Sequence, residues 1–384
     1  MQTKTGEENN KSSLVFHTDY QSILEKVQGI NPIRYAKTRN FLTGDVSYLS
    51  PYISRGVISV KQIKEIVLAN GYKQHESEKF FQELAWREYF QRVWQAKGNL
   101  IWQDLKQSQP DTKHSQMITA LHQATTGISI IDEQINLLYA SGYLHNHVRM
   151  YIASIACNIG KAHWLKPSKW LYYHLLDGDI ASNNSSWQWV AGAFSSKKYY
   201  CNQENINTYT NSDQRNSFLD KPYEALPGMH VPDALTETCS LDLQTTLPVT
   251  SFSIIDTSIP SLLYNSYNLD PLWRKDEQAN RILLLEPSHF SEYPVSKKVI
   301  EFIIGLSNNI TGIQVFTGEV RELEKLYEGS AMDINKAFIS KEHPAFEHYP
   351  GTKDSRDWMY PQVNGYYPSF SGYWKQCVRY VRSM

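Results

Sequence analysis

The sequence predicts two architectures in succession: an all-helical first part and a small α/β unit behind it. Three observations carry that expectation. From about Tyr20 to Ile118, and again from Gly127 to Gly192, apolar residues recur with helical spacing, and strand-type alternation is nearly absent until past Thr245. Around Asn202 to Thr250 the texture changes to Asn, Thr, Ser, Pro and Asp, the composition of a long connection. Beyond it, RILLLEP, PVSKKVIEFIIGLSNN and GIQVFTGE read as strand, helix and strand, which implies parallel pairing through a right-handed crossover. The expected divisions are a flexible start over residues 1–18, a helical domain over 19–210, a connecting segment over 211–250 and an α/β domain over 251–384.

Taken in order, Asp19 is placed to cap YQSILEKVQGI, and Ser59 to cap VKQIKEIVLANG, which stops at Gly71. KFFQELAWREYFQRVWQ spaces Phe80, Leu84, Tyr89 and Val93 as one apolar face, with Glu83, Trp86, Arg87 and Phe90 along its neighbour. ISIIDEQINLLYASG ends on a C-capping glycine, Gly142. A helix starting near His145 puts Asn146, Arg149 and Met150 on one face, because they stand at i, i+3 and i+4. Asp177-Gly178-Asp179 breaks the next helical run, and Asn183, Trp187 and Val190 share a face of the helix after it. The chain closes on a last helix, SGYWKQCVRYVRSM.

Composition narrows the function classes. At 384 residues the chain has ample capacity for a buried core, and its net charge of −1 advertises no global attraction to nucleic acid, so any such contact must come from a local patch. The 25 Tyr and 10 Trp favour stacking surfaces or a cofactor site over a plain scaffold. Cys157, Cys201, Cys239 and Cys377 are widely spaced, which argues against a disulfide framework or zinc site and for a reducing compartment. No apolar run approaches the roughly 18–20 residues of a membrane span. The polar start MQTKTGEENNKSS lacks a signal-peptide core, so a soluble, cytoplasmic protein is expected. His145 and His147 diverge by about 200° on a helix, so no metal site is expected there. No nucleophile elbow, Walker loop or zincin motif is present, and no internal repeat.

What stands out is Gly142 to Gly192, where three helices aim a cation, two carboxylates, an amide and several tryptophans at one space. Such groups must be paired if buried. On residue types alone, a structural network with Arg149 paired to Asp177 is the better account, since buried pairs are usually structural. The order of residues separates the two readings. H-N-H-V-R-M followed by L-L-D-G-D-I-A-S-N-N-S-S-W-Q-W resembles the flavin-binding core of the photolyase/cryptochrome family, and the resemblance runs from about Tyr35 to Asn205.

That resemblance implies FAD as cofactor and assigns roles by position. Tyr35, Ser47, Leu49 and Ser50, in YAKTRNFLTGDVSYLSPY, match the segment that serves the FAD phosphates, where hydroxyls and backbone N–H groups are wanted. Val46 and Tyr48 depart from the family there. Arg87 matches a residue near the FAD; Arg149 and Asp177 match a salt bridge beside the isoalloxazine. Asp179 matches a partner of its pyrimidine edge, and Asn183 the group facing N5. Glu83, Trp86 and Trp189 match the lesion pocket, with an acid to hydrogen-bond a pyrimidine and two indole walls to hold it, and Asn146 and Met150 match further contacts around both the flavin and the lesion. Trp187 and Trp164 match the inner and middle members of an electron-transfer chain, whose outer position is Asp111, with Trp102 nearby in sequence.

For DNA, Arg39 matches a phosphate contact of the family, Arg55, Lys197 and Lys198 stand where they could join it, and His147 holds a further contact position. His147 and Asn202 occupy places where the family has Arg. The implied activity is light-driven repair of cyclobutane pyrimidine dimers in DNA, single- or double-stranded, with Met150 favouring dimers over six-four photoproducts. The rival is a non-catalytic, cryptochrome-like photoreceptor signalling through a protein partner; a structural or redox module is a third. The α/β unit, absent from its usual place ahead of the helical domain, reads as a relocated relative of the family's antenna domain. No particular second chromophore is implied. Glu286, His289 and Arg321 within it read as loop-shaping residues.

Overall fold

The computed structural model describes residues 14–250 and 255–382. Most of the expected flexible start, and residues 251–254 at the expected domain boundary, lie outside the described residues. The first part is helical: α1 (Tyr20–Gln28), α2 (Pro32–Thr38), α3 (Ser50–Ser54), α4 (Val60–Ala69), α5 (Glu78–Lys97), α6 (Thr119–Gln123), α7 (Ser129–Ser141), α8 (Asn146–Ser154), α9 (Leu165–His174), α10 (Ile180–Ala191) and α11 (Gln203–Thr210). The expected caps are in place. Asp19 accepts from the Ser22 N–H at 2.8 Å to open α1, and Ser59 and Gln62 cap α4 reciprocally. Gly142, at φ +72°, closes α7 in the left-handed region.

A short antiparallel pair, β1 (Met117–Ile118) with β2 (Thr238–Cys239), interrupts the all-helical expectation. It ties the segment read as a connection to the helical body. That segment also buries Leu219, Leu226 and Leu235 completely, in the same core as Ile152, Trp164 and Trp187. The helical unit therefore extends well past residue 210.

The α/β unit holds β3 (Ser261–Tyr264), β4 (Asn280–Leu285), α12 (Pro287–Glu292), α13 (Lys297–Ser307), β5 (Ile313–Thr317), α14 (Val320–Leu326), α15 (Ile334–Ala337), β6 (Phe338–Lys341), β7 (Thr352–Asp354) and α16 (Phe370–Arg382). Its five strands are all parallel, in the order β5-β4-β3-β6-β7, so the winding reverses between β3 and β6. Alternation along β4 divides its side chains between two cores. Leu283 and Leu285 join Val27, Val67, Phe81 and Phe302 in one; Ile282 and Leu284 join Val320, Leu323 and Phe338 in the other. One face of the sheet thus shares a core with α1, α4 and α5 of the helical part. Glu286, after β4, accepts from the Val320 N–H at 3.0 Å and pairs with His348 at 2.8 Å, while Arg321 is exposed.

Candidate active site

Helices α5, α8 and α10 meet around a cleft of about 420 Å³, to which α2, α3 and α9 add Tyr35, Ser50 and Leu171. Into it the fold brings Tyr35, Ser47, Ser50, Glu83, Trp86, Arg87, Asn146, Arg149, Met150, Asp177, Asp179, Asn183, Trp187 and Trp189. Those residues span 155 positions of chain, and helical spacing explains the convergence. Glu83, Trp86 and Arg87 stand at i, i+3 and i+4 on α5, as Asn146, Arg149 and Met150 do on α8.

Two buried carboxylates, Asp177 and Asp179, are each held by an arginine. One terminal nitrogen of Arg149 bridges both oxygens of Asp177, at 3.0 and 2.9 Å, and its Nε donates to the Leu144 carbonyl at 2.8 Å. The carboxylate is almost wholly buried. Asp179 caps α10 and is saturated by protein donors. Its Oδ1 accepts from Gln91 at 2.6 Å and the Ala181 N–H at 3.1 Å; its Oδ2 accepts from Ser182 at 2.7 Å and pairs with Arg87 at 3.2 Å. Four donors fill a carboxylate, so in this structure Asp179 locks α10 to α5 rather than offering a free acceptor. Arg87 also donates to the Ser54 hydroxyl. The Asn183 amide nitrogen donates to the Ser168 carbonyl at 3.0 Å and to Asn184 at 3.3 Å, leaving its carbonyl oxygen as the group a ligand can use.

Residues 80–233 match a family model described as the FAD binding domain of DNA photolyase. Over this stretch the chain is similar to the flavin-binding domain of the photolyase/cryptochrome family. It is 31% identical over 169 residues to the deoxyribodipyrimidine photo-lyase of Synechococcus sp., covering 41% of this chain and 35% of that protein. With the deoxyribodipyrimidine photo-lyase of Streptomyces griseus it shares 29% identity over 165 residues, 41% and 35% of the two chains. The chain therefore spans about a third of the length of these curated relatives. A cryptochrome structure from Synechocystis sp. PCC6803 aligns with a TM-score of 0.47 at 24% identity, over 52% of this chain and 44% of that one.

FAD is the cofactor of this photolyase-type domain, and the cleft fits it. Apolar walls from Phe80, Leu84, Phe90, Leu171 and Val190 surround a few convergent polar groups, which is how planar cofactors are held. The paired Arg149 sets a fixed positive charge there, and the Asn183 oxygen can accept from a ring N–H. Ser47 and Ser50 add hydroxyls to the lining of the cleft.

Several expected site residues lie elsewhere. Leu49 is buried in the core shared with the sheet, so its side chain does not wall the cleft. Trp164 is fully buried, with its indole N–H donating to Asp104 at 2.7 Å, in the same core as the cleft-lining Trp187. At the outer position Asp111 pairs with Lys198 at 2.8 Å, while Trp102 stacks on Tyr293 of the α/β unit, 5.3 Å apart. Arg55 is a correction: it is 1% exposed, donating to the carbonyls of Leu176 and Ser266, and cannot meet DNA. Arg39 is engaged too, 3.3 Å from Glu83, which also pairs with Lys79 at 2.9 Å. His147 lies outside the cleft wall, stacked on Tyr209 at 4.5 Å, where burial lowers its pKa. Lys197 is exposed. Gln91 and Tyr143 went unnoticed in the sequence. Gln91 stands one turn beyond Arg87 on α5, a spacing that could have marked it.

Proposed function

We propose that the protein uses blue light to repair cyclobutane pyrimidine dimers in DNA, receiving the damaged step into the cleft after it leaves the stack. One observation supports this reading above others: Glu83, Trp86, Met150 and Trp189 line the same cleft as Arg149, Asp177 and Asn183. When bound and reduced, FAD supplies an electron under illumination to open the dimer's four-membered ring, and recovers it afterwards. The protein's own part is positioning and electrostatics.

Trp86 and Trp189 offer flat apolar surface to the two bases, and Trp189 is 39% exposed at the mouth. The Glu83 carboxylate has acceptor capacity beyond its pairs with Arg39 and Lys79, enough to take a pyrimidine N–H. Met150 gives a soft, non-ionisable contact where a histidine would supply a proton. Arg149, held by Asp177, would favour negative charge on a flavin bound in the cleft. With Arg55 enclosed and Arg39 paired to Glu83, two of the expected phosphate contacts are taken up within the protein, so affinity for undamaged DNA should be weak.

The test is repair of a dimer-bearing single-stranded oligonucleotide by the flavin-reduced protein under blue light, read as recovery of thymine absorbance. Glu83→Ala, which removes the acceptor, should lower turnover about 10- to 10²-fold while retaining flavin. Light-driven flavin reduction without any turnover by the parent protein would replace this reading with the photoreceptor one.

A further inference from the structure

The C-terminal helix α16 packs on the helical domain through α5, with Phe370 seated directly on Trp86. Their rings are 3.7 Å apart at the centroids and 12° from parallel, the tightest aromatic stack among the described residues. Phe370 is itself held. Trp374 lies nearly parallel to it at 6.2 Å, and Tyr89 meets it edge-on at 5.8 Å. Helix α16 is fixed to α5 by the Tyr373 hydroxyl, which donates to Glu88 at 3.1 Å, and by the buried Cys377.

We propose that Phe370 is a positioning residue for Trp86, so that the α/β unit's last helix sets the shape of the substrate-binding half of the cleft. The inference rests on the repair reading only for its consequence on substrate. An indole at a cleft wall can turn about two side-chain bonds, and each alternative orientation changes the room left in the cleft that Trp189 also lines. A parallel ring against one face removes that freedom and leaves the rest of the indole for the cleft. Tyr89 and Phe90 of α5 also meet the indole, at 5.8 and 5.4 Å, but neither lies parallel to it; the parallel contact comes from α16. Leu at 370 would preserve apolar bulk but not the flat contact, whereas Tyr would preserve both.

The test compares full-length, FAD-loaded parent, Phe370→Leu and Phe370→Tyr. Dark affinity for a thymine-dimer oligonucleotide should fall about three- to tenfold in Phe370→Leu, the worth of one aromatic stack. Turnover at saturating substrate should fall less, flavin content should hold, and Phe370→Tyr should restore affinity. In parallel, fluorotryptophan labelling reads the Trp86 ring directly, its fluorine signal assigned by loss in Trp86→Phe. That signal should shift or broaden in Phe370→Leu and return in Phe370→Tyr. An unchanged Trp86 signal overturns the proposal whether or not the parent repairs dimers. An affinity loss that merely tracks lost flavin, or tighter binding by Phe370→Leu, overturns it as well. A parent that binds no dimer but shows the expected fluorine shifts sinks the repair reading alone.

Discussion

Arg149 and Asp177 show what a single pair does at this site. The carboxylate is buried and the guanidinium mostly so, and each is the other's principal counter-charge. Removing one member strands the other, which costs about 3 kcal/mol in buried settings. Asp177→Ala should therefore lower stability by that order and reduce bound flavin, measured as flavin absorbance per protein after purification; unchanged flavin content would count against the pair's role. The pair was legible in the sequence because both members belong to an ordered run of residues. The cations were not. Arg55, Arg39 and His147 read as surface groups, and each is engaged by a partner far away in the chain: Ser266, Glu83 and Tyr209. Nothing local to Arg55 announces that the α/β unit will cover it.

Among the elements, α5 bears the most, because it is buried on both sides. Its inner side gives Glu83, Trp86 and Arg87 to the cleft; its outer side gives Glu88 to the C-terminal segment, accepting from the Met359 N–H and the Tyr373 hydroxyl. Burial raises the Glu88 carboxyl from 4.5 to about 7, opposed by those hydrogen bonds and by Arg92. The native chain thus holds a proton that the unfolded chain releases above about pH 4.5. Stability from this group is complete below that value and is lost as pH rises to about 7, by roughly 3 kcal/mol. Glu88→Gln should remove the loss. Unfolding free energies from denaturant titration at about pH 5 and about pH 8 should show the variant gaining on the parent between them; parallel curves would refute it. Long elements with caps were readable in advance, as α1, α4 and α7 show. The strands SLLY and FISK were not, since short buried strands run apolar without alternation and are defined by their neighbours in the sheet.

At the scale of the molecule, two sequence domains are built as one body. A core runs without a break from Val27 and Val67 through Phe81 to Leu283 and Phe302. A polar line follows the same route: Asp179 to Gln91, Gln91 to Arg356, Arg356 to the Glu342 carbonyl just after β6. At the reversal between β3 and β6, Tyr267 stacks on His343 and its hydroxyl lies 2.9 Å from that of Tyr172 on α9. Gly56 lets the two units approach. Its φ is +65°, and a Cβ there would stand 2.3 Å from the Tyr267 carbonyl oxygen, so both backbone conformation and space exclude a side chain. Because the cleft and the sheet share α5 and this contact, flavin release and loss of the sheet should be one event. On heating, flavin fluorescence and far-ultraviolet circular dichroism should change at one midpoint. Gly56→Ala, which forces the units apart, should lower stability by about 2–3 kcal/mol and move both signals together. Flavin leaving well below the dichroism midpoint, or a Gly56→Ala effect confined to one signal, would show that the helical unit stands alone.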